Sequence, residues 1–121
     1  MTDRLLYVDD EDDIREIALM ALELDPGFQV RDCGSGAQAL EIAAAWRTRL
    51  ILLDVMMPAM DGPATLAALR ARAETADIPV AFITARTQRD DLERLMALGA
   101  CGVIAKPFDP MTLAERVRTL L

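Results

Sequence analysis

The feature that most restricts this 121-residue chain is an apolar run that ends on a charge. Leu50, Ile51, Leu52 and Leu53 lead directly into Asp54, and the chain then breaks at Pro58, Asp61 and Gly62. Four consecutive branched aliphatics closed by turn residues read as a strand buried on both faces. Asp54 then stands at the carboxyl end of that strand, the edge where open parallel sheets bind ligands. The same event recurs. Leu5, Leu6, Tyr7 and Val8 lead into Asp9 and Asp10; Val80, Ala81, Phe82 and Ile83 lead into Thr84; Val103, Ile104 and Ala105 lead into Lys106. Two adjacent carboxylates, a lone carboxylate, a hydroxyl and an amine are therefore expected to share one rim.

Between these runs the apolar spacing changes to the helical period. Asp12 or Asp13 can cap a helix running to about Asp25, with Ile14, Ile17, Ala18, Ala21 and Leu24 facing the core. Pro26 and Gly27 end it. Phe28 to Asp32 alternates in character and reads as an edge strand with one side wet. Ser35 opens a helix over Ala37 to Trp46 that buries Leu40 and Ala44, and Gly62 and Pro63 start another to about Ala73 with Leu66 and Leu69 inward. A strand from Ile78 to Thr84, a helix from about Arg89 to Leu98 ended by Gly99, a strand from Gly102 to Lys106 and a helix from Pro110 to Leu121 complete the chain. In the last helix Leu113, Val117 and Leu120 or Leu121 point inward. Strands alternating with helices force parallel pairing through right-handed crossovers. The expected fold is α/β, a single doubly wound, flavodoxin-like domain over residues 1–121, with a five-stranded parallel sheet in the order 2-1-3-4-5 flanked by five helices.

Composition narrows the chemistry. A hydrophobic fraction of 53% excludes disorder and permits a real core. The net charge of −7, with no clustered Lys and Arg, argues against direct nucleic-acid binding. Histidine is absent, which removes Ser/His/Asp and Cys/His catalysis and disfavours structural zinc. No eighteen-residue apolar run, basic leader or lipidation motif is present, so a cytoplasmic protein without membrane insertion is expected. Cys33 and Cys101 fall near opposite sheet edges, roughly 19 Å apart at about 4.8 Å per strand step. A disulfide needs Cα atoms within about 7 Å, so none is expected.

Asp9 and Asp10 open a run of five acids ending at Asp13, of which Asp12 and Asp13 suit a helix start. Two carboxylates about 4 Å apart repel by roughly 4 kcal/mol at an effective dielectric near 20, and Asp54 adds to this. A divalent cation relieves it, and hard oxygen ligands that leave positions to water and phosphate suit Mg²⁺. Beside such a metal Asp54 can act as a nucleophile toward a phosphoryl group. Lys106 can pair with phosphate oxygens, or with Asp54 before phosphate arrives. Thr84 can donate its hydroxyl to a phosphate oxygen, although threonine is common in strands anyway. Met56, Met57 and Met60 read first as gap-fillers against neighbouring helices, with the Met56 backbone carbonyl within reach of a metal.

Asp9-Asp10, the segment DVMMPAMDG around Asp54, Thr84-Ala85 and Lys106-Pro107-Phe108 resemble the signature of response-regulator receiver domains. The resemblance runs from Leu5 to Leu121. It implies that Asp54 takes a phosphoryl group from a phosphohistidine on a sensor histidine kinase or histidine phosphotransfer protein. It also implies that Asp10, Asp54 and the Met56 carbonyl bind Mg²⁺, with Asp9 acting through water. Thr84 and Lys106 would hold the phosphoryl oxygens, and the Lys106-Pro107 peptide bond would be cis. Such a domain catalyses only its own phosphotransfer and autodephosphorylation, and its output is a changed surface for a downstream protein target. The missing histidine fits a donor on another protein. Two alternatives stay open: a receiver that serves only in docking, and an aspartate-nucleophile, Mg²⁺-dependent phosphohydrolase. The second typically carries another carboxylate two residues after the nucleophile, where this chain has Met56.

Several positions depart from the family pattern. Val103 stands where the family usually carries the Tyr or Phe that swings inward when the threonine is drawn to the phosphate, which weakens the case for that element of the switch. Cys101 and Gly102 stand where many transcription-factor receivers have two aspartates supporting a dimer, so that symmetric dimer is expected to be weak or absent. Met56 and Arg86 occupy variable positions flanking the pocket, and a bulky Met56 is expected to obstruct hydrolytic water. With the last helix reaching Leu121, the chain reads as a stand-alone regulator or as a receiver cut from a longer parent.

Overall fold

The computed structural model describes residues 2–121. Its strands are β1 (Asp3–Val8), β2 (Phe28–Cys33), β3 (Leu50–Asp54), β4 (Val80–Thr84) and β5 (Gly102–Ala105). They alternate with α1 (Asp12–Leu22), α2 (Gly36–Ala45), α3 (Gly62–Arg70), α4 (Arg89–Ala97) and α5 (Leu113–Arg118). All pairings are parallel and the sheet order is β2-β1-β3-β4-β5, as the alternation of elements predicts.

Strand periodicity divides the core into two layers. On one face Leu6, Val8, Ile51, Leu53 and Phe82 pack against Leu40, Leu66, Leu69 and Leu95 of α2, α3 and α4. On the other, Leu5, Tyr7, Leu50, Leu52 and Ile83 pack against Ala18 and Leu22 of α1 and Leu113 and Val117 of α5. Every residue of β3 and β4 is buried, whereas β2 alternates as an edge strand must. The register sets Val8 beside Leu53, Asp54 beside Ile83 and Thr84 beside Ala105. The polar residues that close β1, β3, β4 and β5 thus emerge together at one end of the sheet.

The helices depart from the expected faces and ends. α1 stops at Leu22 rather than near Asp25, and it buries Ala18, Ala21 and Leu22. Ile17 and Leu24, expected in the core, are 42% and 62% exposed. The segment carries apolar residues on two faces, and only one can meet the sheet. In α2 the inward alanine is Ala43 rather than Ala44. α3 ends at Arg70, where the Thr75 hydroxyl donates to the Leu69 carbonyl at 2.6 Å. β4 begins at Val80 because Pro79 brings no N–H to a ladder, although its carbonyl still accepts from Ile51 N at 3.0 Å. α5 is reduced to Leu113–Arg118. Ser35 caps α2 as expected, its Oγ accepting from Gln38 N at 3.2 Å, but the expected cap at Asp12 or Asp13 is not made: α1 starts after Glu11, which gives no side-chain cap, and both aspartates lie in its first turn. At α3 the cap is Asp61, whose Oδ1 accepts from Ala64 N at 2.8 Å. Cys33 and Cys101 are both free thiols.

Candidate functional site

The rim is assembled by loops that leave the sheet within a residue or two of one another. Asp9, Asp10 and Asp54 each bring a carboxylate oxygen within 4.8 Å of the others. Asp9 and Asp54 are buried and Asp10 is exposed. Lys106, the first residue after β5, places Nζ 2.9 Å from Asp9 Oδ2, 3.6 Å from Asp54 Oδ2 and 3.7 Å from Glu11 Oε1. Its closest partner is therefore Asp9 rather than Asp54. The Lys106 amide donates to the Thr84 carbonyl at 2.8 Å, which ties the ends of β4 and β5, and the Lys106-Pro107 bond is cis.

Thr84 is buried, and its Oγ1 accepts the Arg86 N–H at 3.0 Å. Its own hydroxyl hydrogen remains free to donate. The structure thus joins Lys106 to Asp9 and Asp54 directly, holds Asp10 within 4.8 Å of both acids, and sets Thr84 on the adjoining strand end.

The methionines divide. Met57 is buried and Met60 packs partly against the core, as gap-fillers should. Met56 is 69% exposed and fills no gap. The chain is turning away from the sheet there, so the side chain has no helix to meet, while the backbone N–H stays close enough to Asp54 to favour its ionised form.

Gly62 explains how this turn stays tight. A Cβ at that position would lie 2.6 Å from the Asp54 carbonyl oxygen and 2.9 Å from Val55 Cα, too close for any side chain. The Gly62 N–H also donates to the Val55 carbonyl at 2.9 Å. The N-terminus of α3 is thereby laid directly against the backbone of the central acid.

Three residues that sequence reasoning passed over complete the surroundings. Tyr7 donates its hydroxyl to Asp9 Oδ2 at 3.2 Å, and the Glu11 N–H donates to Asp9 Oδ1 at 3.0 Å. Arg15 Nη1 donates to the Asp9 carbonyl at 2.8 Å while its Nε pairs with Asp32 at 3.0 Å. The Tyr7 contact was open to prediction, because residues i and i+2 of a strand share a face. The Arg15 contact spans a turn whose path the sequence does not specify.

Burial, then the charges of Asp9 and Asp10, push the Asp54 carboxyl up to about 6, against the opposing pull of Lys106 and the Met56 amide. Burial alone would lower the Lys106 ammonium, but the hydrogen bond to Asp9 and the charges of Asp54, Asp9 and Glu11 hold it above its usual range. Burial, followed by the charge of Asp9, raises the Tyr7 phenol. All three clustered acids offer hard oxygen donors, a set that suits a small divalent cation.

A second surface is apolar. Ile17, Met20, Ala21 and Leu24 of α1 and the turn beyond it, with Pro110 and Met111, line an apolar groove of about 220 Å³. The groove thus lies between α1 and the segment that follows the Lys106 loop. No helix among the described residues is long and apolar enough to cross a membrane.

Known proteins share this fold. A match to the response regulator receiver domain extends over residues 5–118. The transcriptional regulatory protein SrrA of Staphylococcus aureus is 36% identical over 121 residues, covering 100% of this chain and 48% of that protein. The chain therefore spans about half the length of the curated relatives it matches. Among solved structures, the chemotaxis response regulator CheY4 of Vibrio cholerae superposes with a TM-score of 0.90 at 31% identity, covering 100% of both chains. The signal receiver domain of a signal transduction histidine kinase from Syntrophus aciditrophicus superposes with a TM-score of 0.83 at 32% identity, covering 99% of this chain and 90% of that one.

Proposed function

The chain belongs to the response regulator receiver domain family of two-component signalling, and from that premise we propose that it is a phosphorylation-operated switch with Asp54 as its phosphoacceptor. The observation that carries this reading is the convergence of Asp9, Asp10 and Asp54 within 4.8 Å, with one ammonium reaching Asp9 and Asp54. A carboxylate oxygen of Asp54 attacks the phosphorus of a phosphohistidine presented by a sensor histidine kinase or histidine phosphotransfer protein. A P–O bond forms as the P–N bond breaks, and the imidazole leaves with its electron pair. Mg²⁺, held by Asp10, Asp54 and the Met56 carbonyl with Asp9 acting through water, would screen the charge of the incoming group. Lys106 moves from Asp9 toward the phosphoryl oxygens, and Thr84 turns its free hydroxyl hydrogen to them.

The second of these movements gives the switch its outlet. The Arg86 N–H rests on Thr84 Oγ1 at 3.0 Å, so a hydroxyl drawn to phosphate disturbs the loop that leads into α4. The surface around that helix changes with it, and a downstream protein target reads the change. The apolar groove on α1 offers a helical donor a landing face beside the acceptor. On this reading the domain works in the cytoplasm. It acts on no substrate other than its own acyl phosphate.

Val103 favours a second reading, a receiver used only for docking. It is half-buried beside Phe82, at the place where an aromatic would swing. Incubation with Mg²⁺ and a small acyl phosphate or phosphoramidate, followed by intact mass measurement, separates the two. One added phosphoryl group that disappears in Asp54→Asn supports the switch, and an unmodified wild type supports docking. Continuous turnover of a small phosphate ester would instead revive the phosphohydrolase.

A further inference from the structure

We propose that Tyr7 sets the metal preference of the acidic pocket by keeping Asp9 out of the inner coordination sphere; the inference rests on the metal site proposed above. Tyr7 is the only tyrosine in the chain and is fully buried in β1, where its neighbours are aliphatic. Its ring meets Phe108 edge to face, with centroids 6.4 Å apart and planes at 74°, and this contact fixes the direction of the hydroxyl.

That hydroxyl and the Lys106 ammonium converge on a single oxygen, Asp9 Oδ2, at 3.2 and 2.9 Å. The other oxygen, Oδ1, takes the Glu11 N–H at 3.0 Å. Oδ2 is therefore fully committed to protein donors and Oδ1 keeps one lone pair. The Asp10 carboxylate is exposed and takes no protein donor among the described residues, and Asp54 Oδ2 meets the Lys106 ammonium only at 3.6 Å. A cation entering the cluster finds Asp10 and Asp54 more open than Asp9, which already takes three donors.

This inequality discriminates between ions. Mg²⁺ needs few protein oxygens and keeps several waters, so two open carboxylates serve it well. Ca²⁺ takes six to eight oxygens at longer distances and gains most from a third carboxylate. Removing the phenolic hydroxyl leaves Asp9 Oδ2 with Lys106 alone, which frees it to turn toward a larger ion. Tyr7 is thus a positioning residue that acts on the metal through Asp9.

The test is calorimetric titration of Mg²⁺ and of Ca²⁺ into the wild type, Tyr7→Phe, Asp9→Asn and the double variant at one pH, with melting temperatures recorded alongside. We expect the ratio of the Ca²⁺ to the Mg²⁺ dissociation constant to fall about tenfold in Tyr7→Phe, the scale on which outer partners of metal ligands act. In the Asp9→Asn background the same substitution should leave the ratio unmoved. An unchanged ratio in a folded Tyr7→Phe that binds both ions overturns the role of Tyr7 alone, as does an effect that persists without Asp9. A wild type that binds neither ion overturns the metal site and the Tyr7 role together. A purely structural hydroxyl would lower the melting temperature and leave the ratio untouched.

Discussion

Lys106 divides its ammonium between two buried acids, lying 2.9 Å from Asp9 and 3.6 Å from Asp54. Removing one member of a buried ion pair strands the other, a loss of about 3 kcal/mol. Lys106→Met should therefore lower the denaturation midpoint of the metal-free protein by that order. Saturating Mg²⁺ should recover much of the deficit, because the cation supplies the missing positive charge. A variant as stable as the wild type without metal would show that the acids tolerate each other unaided.

Asp54 gives a pH dependence of definite sign. Its carboxyl is raised to about 6, chiefly by burial and then by the charge of Asp9. The folded protein thus holds this proton more tightly than the unfolded chain does. Stability without metal should fall as the pH rises from near 4 to about 6, and the penalty stays in place above that window. Asp54→Asn removes the penalty, so it should stabilise the metal-free protein more at pH 8 than at pH 5. Protons also compete with the metal, and the Mg²⁺ dissociation constant should weaken about fourfold between pH 7.5 and 5.5. Titrations at the two pH values check this, and equal affinity would mean that Asp54 does not contact the ion.

Met56 stands 69% exposed at the mouth of the pocket, with its amide turned to Asp54. On the proposed switch, an apolar side chain there would obstruct the water that attacks the acyl phosphate. Met56→Asn should shorten the lifetime of the phosphorylated protein several-fold, on the scale of about 1 kcal/mol in barrier height. Decay is followed by intact mass after the phosphodonor is removed. Equal or slower decay in Met56→Asn rejects the obstruction.

Ala59 carries strain in the loop between Asp54 and α3. Its φ is 65°, and the Met60 N–H donates to the Pro58 carbonyl at 2.7 Å, closing a three-residue turn. Glycine takes that conformation without its Cβ penalty, so Ala59→Gly should raise stability by up to about 1 kcal/mol. Chemical denaturation measures the change, and a drop in the midpoint would place the strain elsewhere.

The strands were legible because each is a short apolar run with polar punctuation, and burial on both faces leaves little freedom in such a pattern. β2 betrayed its edge position by alternation. Helix faces were harder. Ile17 and Leu24 obey the helical period as well as Ala18 and Ala21 do, and only the packed structure shows which stripe meets the sheet. At the site, the acids and the lysine were visible as strand-end residues. The division of Lys106 between Asp9 and Asp54, and the bonds from Tyr7 and Glu11 to Asp9, depend on distances of a few tenths of an ångström. Those follow from side-chain packing around the turns, which composition and periodicity do not encode.

The contact of Gly62 with the Asp54 carbonyl has a mechanical meaning. A missing side chain lets the first turn of α3 rest against the main chain of the central acid, so any residue larger than glycine there would have to push helix and acid apart.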